Sequence, residues 1–230
     1  TKEEMDQHLS TLPNGGQNAL GDKWDAGDIM YKDLNGDGKI DGGAGTINDH
    51  GDWKVIGNNT PRYYFGIDLG ADWKGFDMRC FFQGVLKKDV YQYSYYFWGA
   101  SPSGKWWSTG FVEHGDYFRA DSSHRLGQNL NSYYPRPTYS AKNQQTQTRY
   151  LQNAAYIRLK NLQIGYTLPA NLTQKIGFDK IRLYLSGENL WTGTSLSSIF
   201  DPELIDQGAS GWGSAYPICR TISFGLSLNL

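Results

Sequence analysis

Apolar and polar residues alternate with period two in five stretches of the chain, the signature of β-strands whose two faces meet different surroundings. In 220–230 the even positions are Ile222, Phe224, Leu226, Leu228 and Leu230, and the odd ones are Thr221, Ser223, Gly225, Ser227 and Asn229. In 62–73 Tyr63, Phe65, Ile67, Leu69, Ala71 and Trp73 oppose Arg62, Tyr64, Gly66, Asp68, Gly70 and Asp72. In 76–86 Phe76, Met78, Cys80, Phe82 and Leu86 oppose Asp77, Arg79, Phe81, Gln83 and Val85, and in 180–191 Ile181, Leu183 and Leu185 oppose Arg182, Tyr184, Ser186 and Glu188. The stretch 154–168 changes phase: Ala155, Ile157 and Leu159 are odd, whereas Leu162, Ile164, Tyr166 and Leu168 are even. One extra residue at Lys160 or Asn161, a β-bulge, restores a common face.

Such strands build either a soluble sandwich or a membrane barrel. The connections discriminate, because 71–75 and 169–179 are short and 87–153 and 192–219 are long. Alternating short turns and long loops belong to outer-membrane barrels, with the turns on the periplasmic side. Strands of this length also suit a tilted crossing of about 9–11 residues. The trace runs inward through 62–70, outward through 76–86, inward through 154–168, outward through 180–191 and inward through 220–230, so the C-terminus is expected in the periplasm. Five strands do not close a barrel, which takes about eight or more, and open edges are not tolerated in hydrocarbon. The chain therefore reads as a piece of something longer, in keeping with a start at Thr1 without an initiator Met or an apolar leader.

Composition adds exclusions. The formal net charge is −1, from 22 Lys and Arg against 23 Asp and Glu, so no basic footprint for nucleic acid exists. A mean hydropathy of −0.59 and the lack of a long apolar run exclude membrane helices. They do not exclude a barrel, half of whose strand positions are polar. Aromatics make up 15% of the residues, which barrel interfaces and large loops consume. Cys80 and Cys219 stand without a C-x-x-C or a Cys/His cluster, so no zinc site follows, and their redox state stays open. The histidines are scattered and nucleophile, zincin and phosphate-loop signatures are missing. Asp201, Glu203 and Asp206 would be the candidates for a glycosidase carboxylate pair, but Asp-Pro-Glu in a Gly/Ser-rich stretch reads more readily as solvated loop. The expectation is a chain with no catalytic residues and no enzymatic activity.

Residues 33–41, Asp-Leu-Asn-Gly-Asp-Gly-Lys-Ile-Asp, carry the D-x-[DN]-x-[DN]-G spacing of an EF-hand-type loop. Calcium takes six to eight oxygen ligands in such loops, from side chains at positions 1, 3 and 5 and a carbonyl at 7, with Gly at 6 for the turn. Here these are Asp33, Asn35, Asp37, the Lys39 carbonyl and Gly38, with Asp41 at position 9. Position 12 is Ala44 rather than Glu, and the glycine-rich 42–51 would loop out so that Asp49 or, preferably, Asp52 supplies the last ligand. The competing assignment is a turn held by Asx hydrogen bonds. A structural calcium ion is the expected cofactor.

Several blocks, in order, resemble the C-terminal part of the SusC/RagA family of TonB-dependent outer-membrane transporters of Bacteroidetes. They are Gly27 to Asp41, Val55-Ile-Gly57, Pro61 to Gly66, Lys74-Gly-Phe-Asp77 with Phe82-Gln-Gly84, Tyr156 to Pro169, Gly187-Glu-Asn-Leu190, Asp201-Pro-Glu203 and Arg220 to Gly225. The chain departs in its 42–51 insertion and in ending on Leu230, where barrel chains often end in an aromatic residue. The resemblance implies an all-β fold, about five antiparallel strands at the C-terminal end of a large transmembrane β-barrel of the TonB-dependent receptor type with long extracellular loops. It implies residues 1–60 as an extracellular region containing the calcium-type loop 33–52, and 61–230 as barrel strands with extracellular loops 87–153 and 192–219. It also implies import of glycan fragments, oligosaccharides or peptides across the bacterial outer membrane with a SusD-like surface lipoprotein, energised by TonB–ExbB–ExbD through an N-terminal part. Within loop 87–153, Tyr95, Trp98, Trp106 and Trp107 are the substrate-contact candidates, set against girdle or local-core roles for the same aromatics. Lumen-facing Arg62, Asp68, Arg79, Arg182 and Glu188 are expected in wall hydrogen bonds and plug contacts. The alternative from another class is a secreted, calcium-stabilised β-sandwich that binds carbohydrate, which would bury Ile222, Phe224 and Leu226 against a second sheet.

Overall fold

The computed structural model describes residues 1–99, 110–206 and 215–230, apart from the side chain of Tyr95. The chain divides into two compact units, 1–57 with 91–151 and 58–90 with 152–230.

The second unit is built on a five-stranded antiparallel sheet of β1 (Arg62–Trp73), β2 (Phe76–Lys87), β5 (Tyr156–Thr167), β6 (Lys180–Thr194) and β7 (Thr221–Asn229), in that order. Short strands β3 (Asp89–Tyr91) and β4 (Leu151–Asn153) pair separately. Lys74 and Gly75, both at positive φ, close the β1–β2 hairpin in two residues. A helical turn, α3 (Ala170–Thr173), and a left-handed Gly177 make the β5–β6 connection. The expected strands and short connections are thus present, with β1 matching the alternation over 62–73 and β6 running three residues further than the alternation indicated.

Register makes the sidedness explicit. Met78 pairs with Ala71 and Ile164, Ile164 with Leu185, and Leu185 with Phe224, so one row of the ladder is apolar from edge to edge. The next row runs Trp73, Phe76, Tyr166, Leu183 and Leu226. This face lies open: Ile222 and Phe224 are 68% and 72% exposed. A sandwich would have buried them, and among the described strands of this unit no second sheet covers them. A one-residue register slip would move every one of these side chains to the polar face. The phase change in β5 is met as expected, because the pairing shifts between Leu159 and Asn161 and leaves Lys160 as the extra residue.

The opposite face is polar and cross-linked. Arg79 donates two hydrogen bonds to Asp68, at 3.1 and 2.5 Å, and Arg182 pairs with Asp77 across the intervening strand β5. Gly165 lies beneath that second pair, where a Cβ would come within 2.6 Å of both Asp77 and Arg182. Its lack of a side chain is what lets the two charges meet.

The first unit contains α1 (Lys2–Ser10), opened by a capping box between Thr1 and Glu4, the short helix α2 (Tyr95–Trp98) and irregular segments. Met5, Leu12, Trp24 and Ile40 are each buried, and Phe97, Trp98, Tyr134 and Tyr150 pack together as a buried aromatic group.

Candidate functional site

Three features carry chemistry. The first is the oxygen-rich loop. The Asp33 carboxylate accepts from Gly36 N at 2.6 Å and Gly38 N at 2.8 Å, Asn35 Oδ1 from Asp37 N at 3.0 Å, and Asp37 Oδ1 from Lys39 N at 3.1 Å. Gly36 and Gly38 take the left-handed conformation that folds the loop back on itself. Asp52 returns to this loop across the glycine-rich insertion, accepting from Leu34 N at 2.6 Å and Asp41 N at 2.9 Å. Asp49 instead accepts from Ala44 N inside the insertion. The Lys39 ammonium lies 2.5 Å from Asp41 and 3.9 Å from Asp37, and its hydrogen bond holds the Asp41 carboxyl below the usual carboxylate range. The donor set is all hard oxygen, which suits calcium. Among the described residues, however, no three His, Cys, Asp or Glu side chains converge as a metal-binding group, because backbone N–H groups and Lys39 engage the carboxylates. A cation at Asp41 would have to displace the Lys39 ammonium.

The second feature is the aromatic part of 91–151. Trp98 is 6% exposed, donates Nε1–H to the Gln92 carbonyl at 3.0 Å, and packs edge-on against Phe97 and Tyr150 with centroids 5.0 and 4.9 Å away. Its place is a local core. Trp106, Trp107 and the Tyr95 side chain lie outside the described residues. Burial pushes the Tyr134 and Tyr150 phenols well above their ordinary range, so both stay neutral, and Tyr150 donates to the Tyr133 carbonyl. The segment is fastened to 1–57 by Asp28, a fully buried carboxylate that alternation in sequence could not single out. Asp28 accepts from Arg136 at 2.7 Å and Asn143 at 2.9 Å, with the Lys142 ammonium at 2.8 Å. Burial alone would raise its pKa, but these three donors outweigh it and hold the carboxyl below the usual range. Beside this network lies a cavity of about 990 Å³ lined wholly by first-unit residues, among them Tyr31, Asp41, Asp52 and Trp53.

The third feature lies on the polar face of the sheet. Arg158, 3% exposed, donates to Glu203 at 2.8 Å, Asp201 at 2.7 Å and Thr192 at 2.8 Å, while Lys160 reaches Glu203 at 3.1 Å. Lys88 pairs with Asp206. Leu196, Phe200 and Ile205 are buried beside these charges. The acidic stretch taken as solvated loop is therefore a strap fixed on the sheet, and its carboxylates are held by cations rather than set across a cleft. Spacing gave no sign of this, because the partners are more than forty residues apart. The bulge aids it, since Arg158 and Lys160 both reach the strap from β5.

An open apolar face, a charged opposite face and alternating short and long connections define the wall of a transmembrane β-barrel of the TonB-dependent receptor type. Comparison with known proteins agrees. The chain is 32% identical over 226 residues to TonB-dependent receptor P3 of Formosa agariphila, covering 94% of this chain and 20% of that protein. It is 29% identical over 217 residues to TonB-dependent receptor P26 of the same organism, covering 88% and 19%. The RagAB peptide importer in its closed-closed state superposes on 76% of the chain, and on 18% of its own, with a TM-score of 0.50 and 25% identity. No protein-family model matches. The chain is a SusC/RagA-like fragment of a TonB-dependent receptor, and it spans about one fifth of the length of the curated relatives it matches.

Proposed function

We propose that the chain forms part of the wall and outer loops of an outer-membrane importer that takes up nutrients, with glycan fragments or oligosaccharides as the first class of cargo and peptides as the second. A SusD-like surface lipoprotein and TonB–ExbB–ExbD are its partners in this reading, and the 230 C-terminus faces the periplasm. The carrying observation is the edge-to-edge apolar face on β1, β2, β5, β6 and β7, backed by ion pairs on the other side. Lipid takes the first face and a lumen the second. Import of this kind makes and breaks no covalent bond in its cargo, and the chemistry in this reading is recognition and passage.

Calcium belongs to the same proposal. Asp33, Asn35, Asp37, the Lys39 carbonyl, Asp41 and Asp52 would ligate it, fixing the loop that the Asp52 carboxylate already gathers at two points. Support comes from the hard-oxygen donor set and from the return of Asp52 to the loop.

Uptake of labelled oligosaccharides and peptides tests the import reading, in cells with and without the full-length receptor and with the protonmotive force intact or collapsed. Energy-dependent uptake of one class, lost with the receptor, is expected. Unchanged uptake of both classes in cells lacking the receptor refutes it.

A further inference from the structure

The His114 ring joins two stretches of the first unit through main-chain groups. Its Nδ1 lies 3.1 Å from Phe111 N, and its Nε2 lies 2.9 Å from the Tyr96 carbonyl and 3.0 Å from the Phe97 carbonyl. These partners fix the tautomer, because an amide N–H only donates and a carbonyl only accepts. Nδ1 is therefore bare and accepts from Phe111, while Nε2 carries the proton and donates to α2. Together the bonds fasten the turn Val112–Gly115 to that helix. A second proton on Nδ1 would face the Phe111 N–H, donor against donor, and the bond would be lost. The space beside Nδ1 is closed as well, since a Cβ at Gly99 would lie 2.9 Å from it. The Phe111 and Tyr134 rings pack edge-on against the imidazole with centroids 5.7 and 5.5 Å away. The titratable groups around it are Tyr96, Tyr134, whose phenol burial pushes up, and the exposed carboxylates of Glu113 and Asp116. Asp116 accepts from Asn129 Nδ2 and Tyr133 N. None of the bonds made by the ring is to a carboxylate that would welcome a positive charge.

We infer that His114 is an acid-released clasp: neutral, its ring holds 111–115 on α2, and protonated it lets go of Phe111 and loosens that turn. Only the neutral ring makes the Phe111 bond, so the clasp is complete above the imidazole titration, near about pH 6.5 for an ordinary histidine, and is lost as pH falls through it. In the import reading 87–153 is extracellular and the ring meets the pH of the surrounding medium, which is the one point at which the clasp rests on that reading. His124 provides the comparison. It too accepts a backbone N–H at Nδ1, from Leu126 at 3.0 Å, but its Nε2 meets the Tyr117 hydroxyl and it bonds to neither stretch that His114 ties.

Hydrogen exchange of the full-length receptor in detergent, resolved to single amides by mass spectrometry at about pH 7.5 and about pH 5.0, tests it across the histidine range. Protection factors are corrected for the intrinsic rate at each pH. That of the Phe111 amide should fall about tenfold at the lower pH, as expected for one lost hydrogen bond, and recover on return to the higher. Amides of β5, in the other unit, should hold theirs. His114→Asn, which keeps an acceptor for the Phe111 N–H and does not titrate, should abolish the step, and His124→Asn should leave it in place. Low protection at both pH values in His114→Asn would mark a turn disordered by the substitution, and the wild-type and His124→Asn profiles then decide. A wild-type receptor without the step, a step of equal size in His114→Asn, or a step abolished by His124→Asn overturns the inference. Exchange is read here without transport, so a receptor that shows the step yet imports nothing would break only the import reading.

Discussion

Replacing Arg158 by Met removes the guanidinium that bridges Asp201 and Glu203 while keeping most of the side-chain volume. Both carboxylates then stay beside an apolar group, with only Lys160 still reaching Glu203. Arg158 is 3% exposed and the ion pairs are 2.7 and 2.8 Å long. Breaking a buried pair from one side costs about 3–5 kcal/mol. The carboxylates keep 17% and 23% exposure, so the lower end applies, about 3 kcal/mol. Charged to local opening of the strap, that raises the open population about a hundredfold. Hydrogen exchange of 195–206, followed by mass spectrometry on the full-length receptor, reads it through amides such as Leu204 N, which bonds to Asp201 O, and Phe200 N, which bonds to Ser197 O. Lys160→Met, with Arg158 still in place, should raise exchange only about fivefold or less. If the strap exchanges at the wild-type rate in Arg158→Met, the ion cluster does not hold it and the reasoning fails.

Other outcomes follow from the same coordinates. Asp28 has a folded pKa below its unfolded one, so its contribution is complete above about pH 4 and is lost as pH falls through the depressed folded value. Protection factors of amides in 22–31 and 136–143, corrected for the slower intrinsic exchange at low pH, should therefore fall on acidification, and Asp28→Asn should flatten that dependence and lower protection at neutral pH. A Cβ at Gly225 would lie 2.0 Å from the Tyr184 ring, so Gly225→Val should displace the ring and cost about 1–3 kcal/mol in urea unfolding of the bilayer-reconstituted receptor, whereas Ser223→Val should not. Calcium at about a hundred times its dissociation constant should stabilise the first unit by about 2.7 kcal/mol. Asp52→Asn should abolish that gain and Lys39→Ala enlarge it, and calorimetric unfolding with and without chelator checks both.

The strands were legible because each one faces two unlike media, and that contrast is written at every second residue. The bulge was legible for the same reason, since Leu159 and Leu162 share a face only if one residue between them is extra. In β6 the matching irregularity passed unseen. The pairing jumps from Trp191 to Glu188, and Asn189 sits at positive φ, inside a Gly-Glu-Asn-Leu block with no apolar period to break. The Asp33 loop was visible through its spacing, and its last ligand, Asp49 or Asp52, was not, because the 42–51 insertion breaks that spacing. What alternation does not encode is which distant charges meet. Asp28 finds Arg136 and Asn143 more than a hundred positions away, and Asp201 and Glu203 find Arg158 over forty. Nothing in the local pattern of either partner announces such pairs, and the first unit, assembled from 1–57 and 91–151, is held by them. The aromatic loop was open to two assignments, and burial puts Trp98 in a local core.

The central claim is that one face of the five-stranded sheet meets lipid and the other a watery lumen. Single spin labels placed in turn at 221–228 of the full-length receptor in bilayers, with Cys80 and Cys219 replaced, test it by collision with oxygen and with a water-soluble nickel complex. Positions 222, 224, 226 and 228 should favour oxygen, and 221, 223, 225 and 227 should favour nickel. Uniform access to nickel at all eight positions, or an alternation of the opposite phase, would contradict the account.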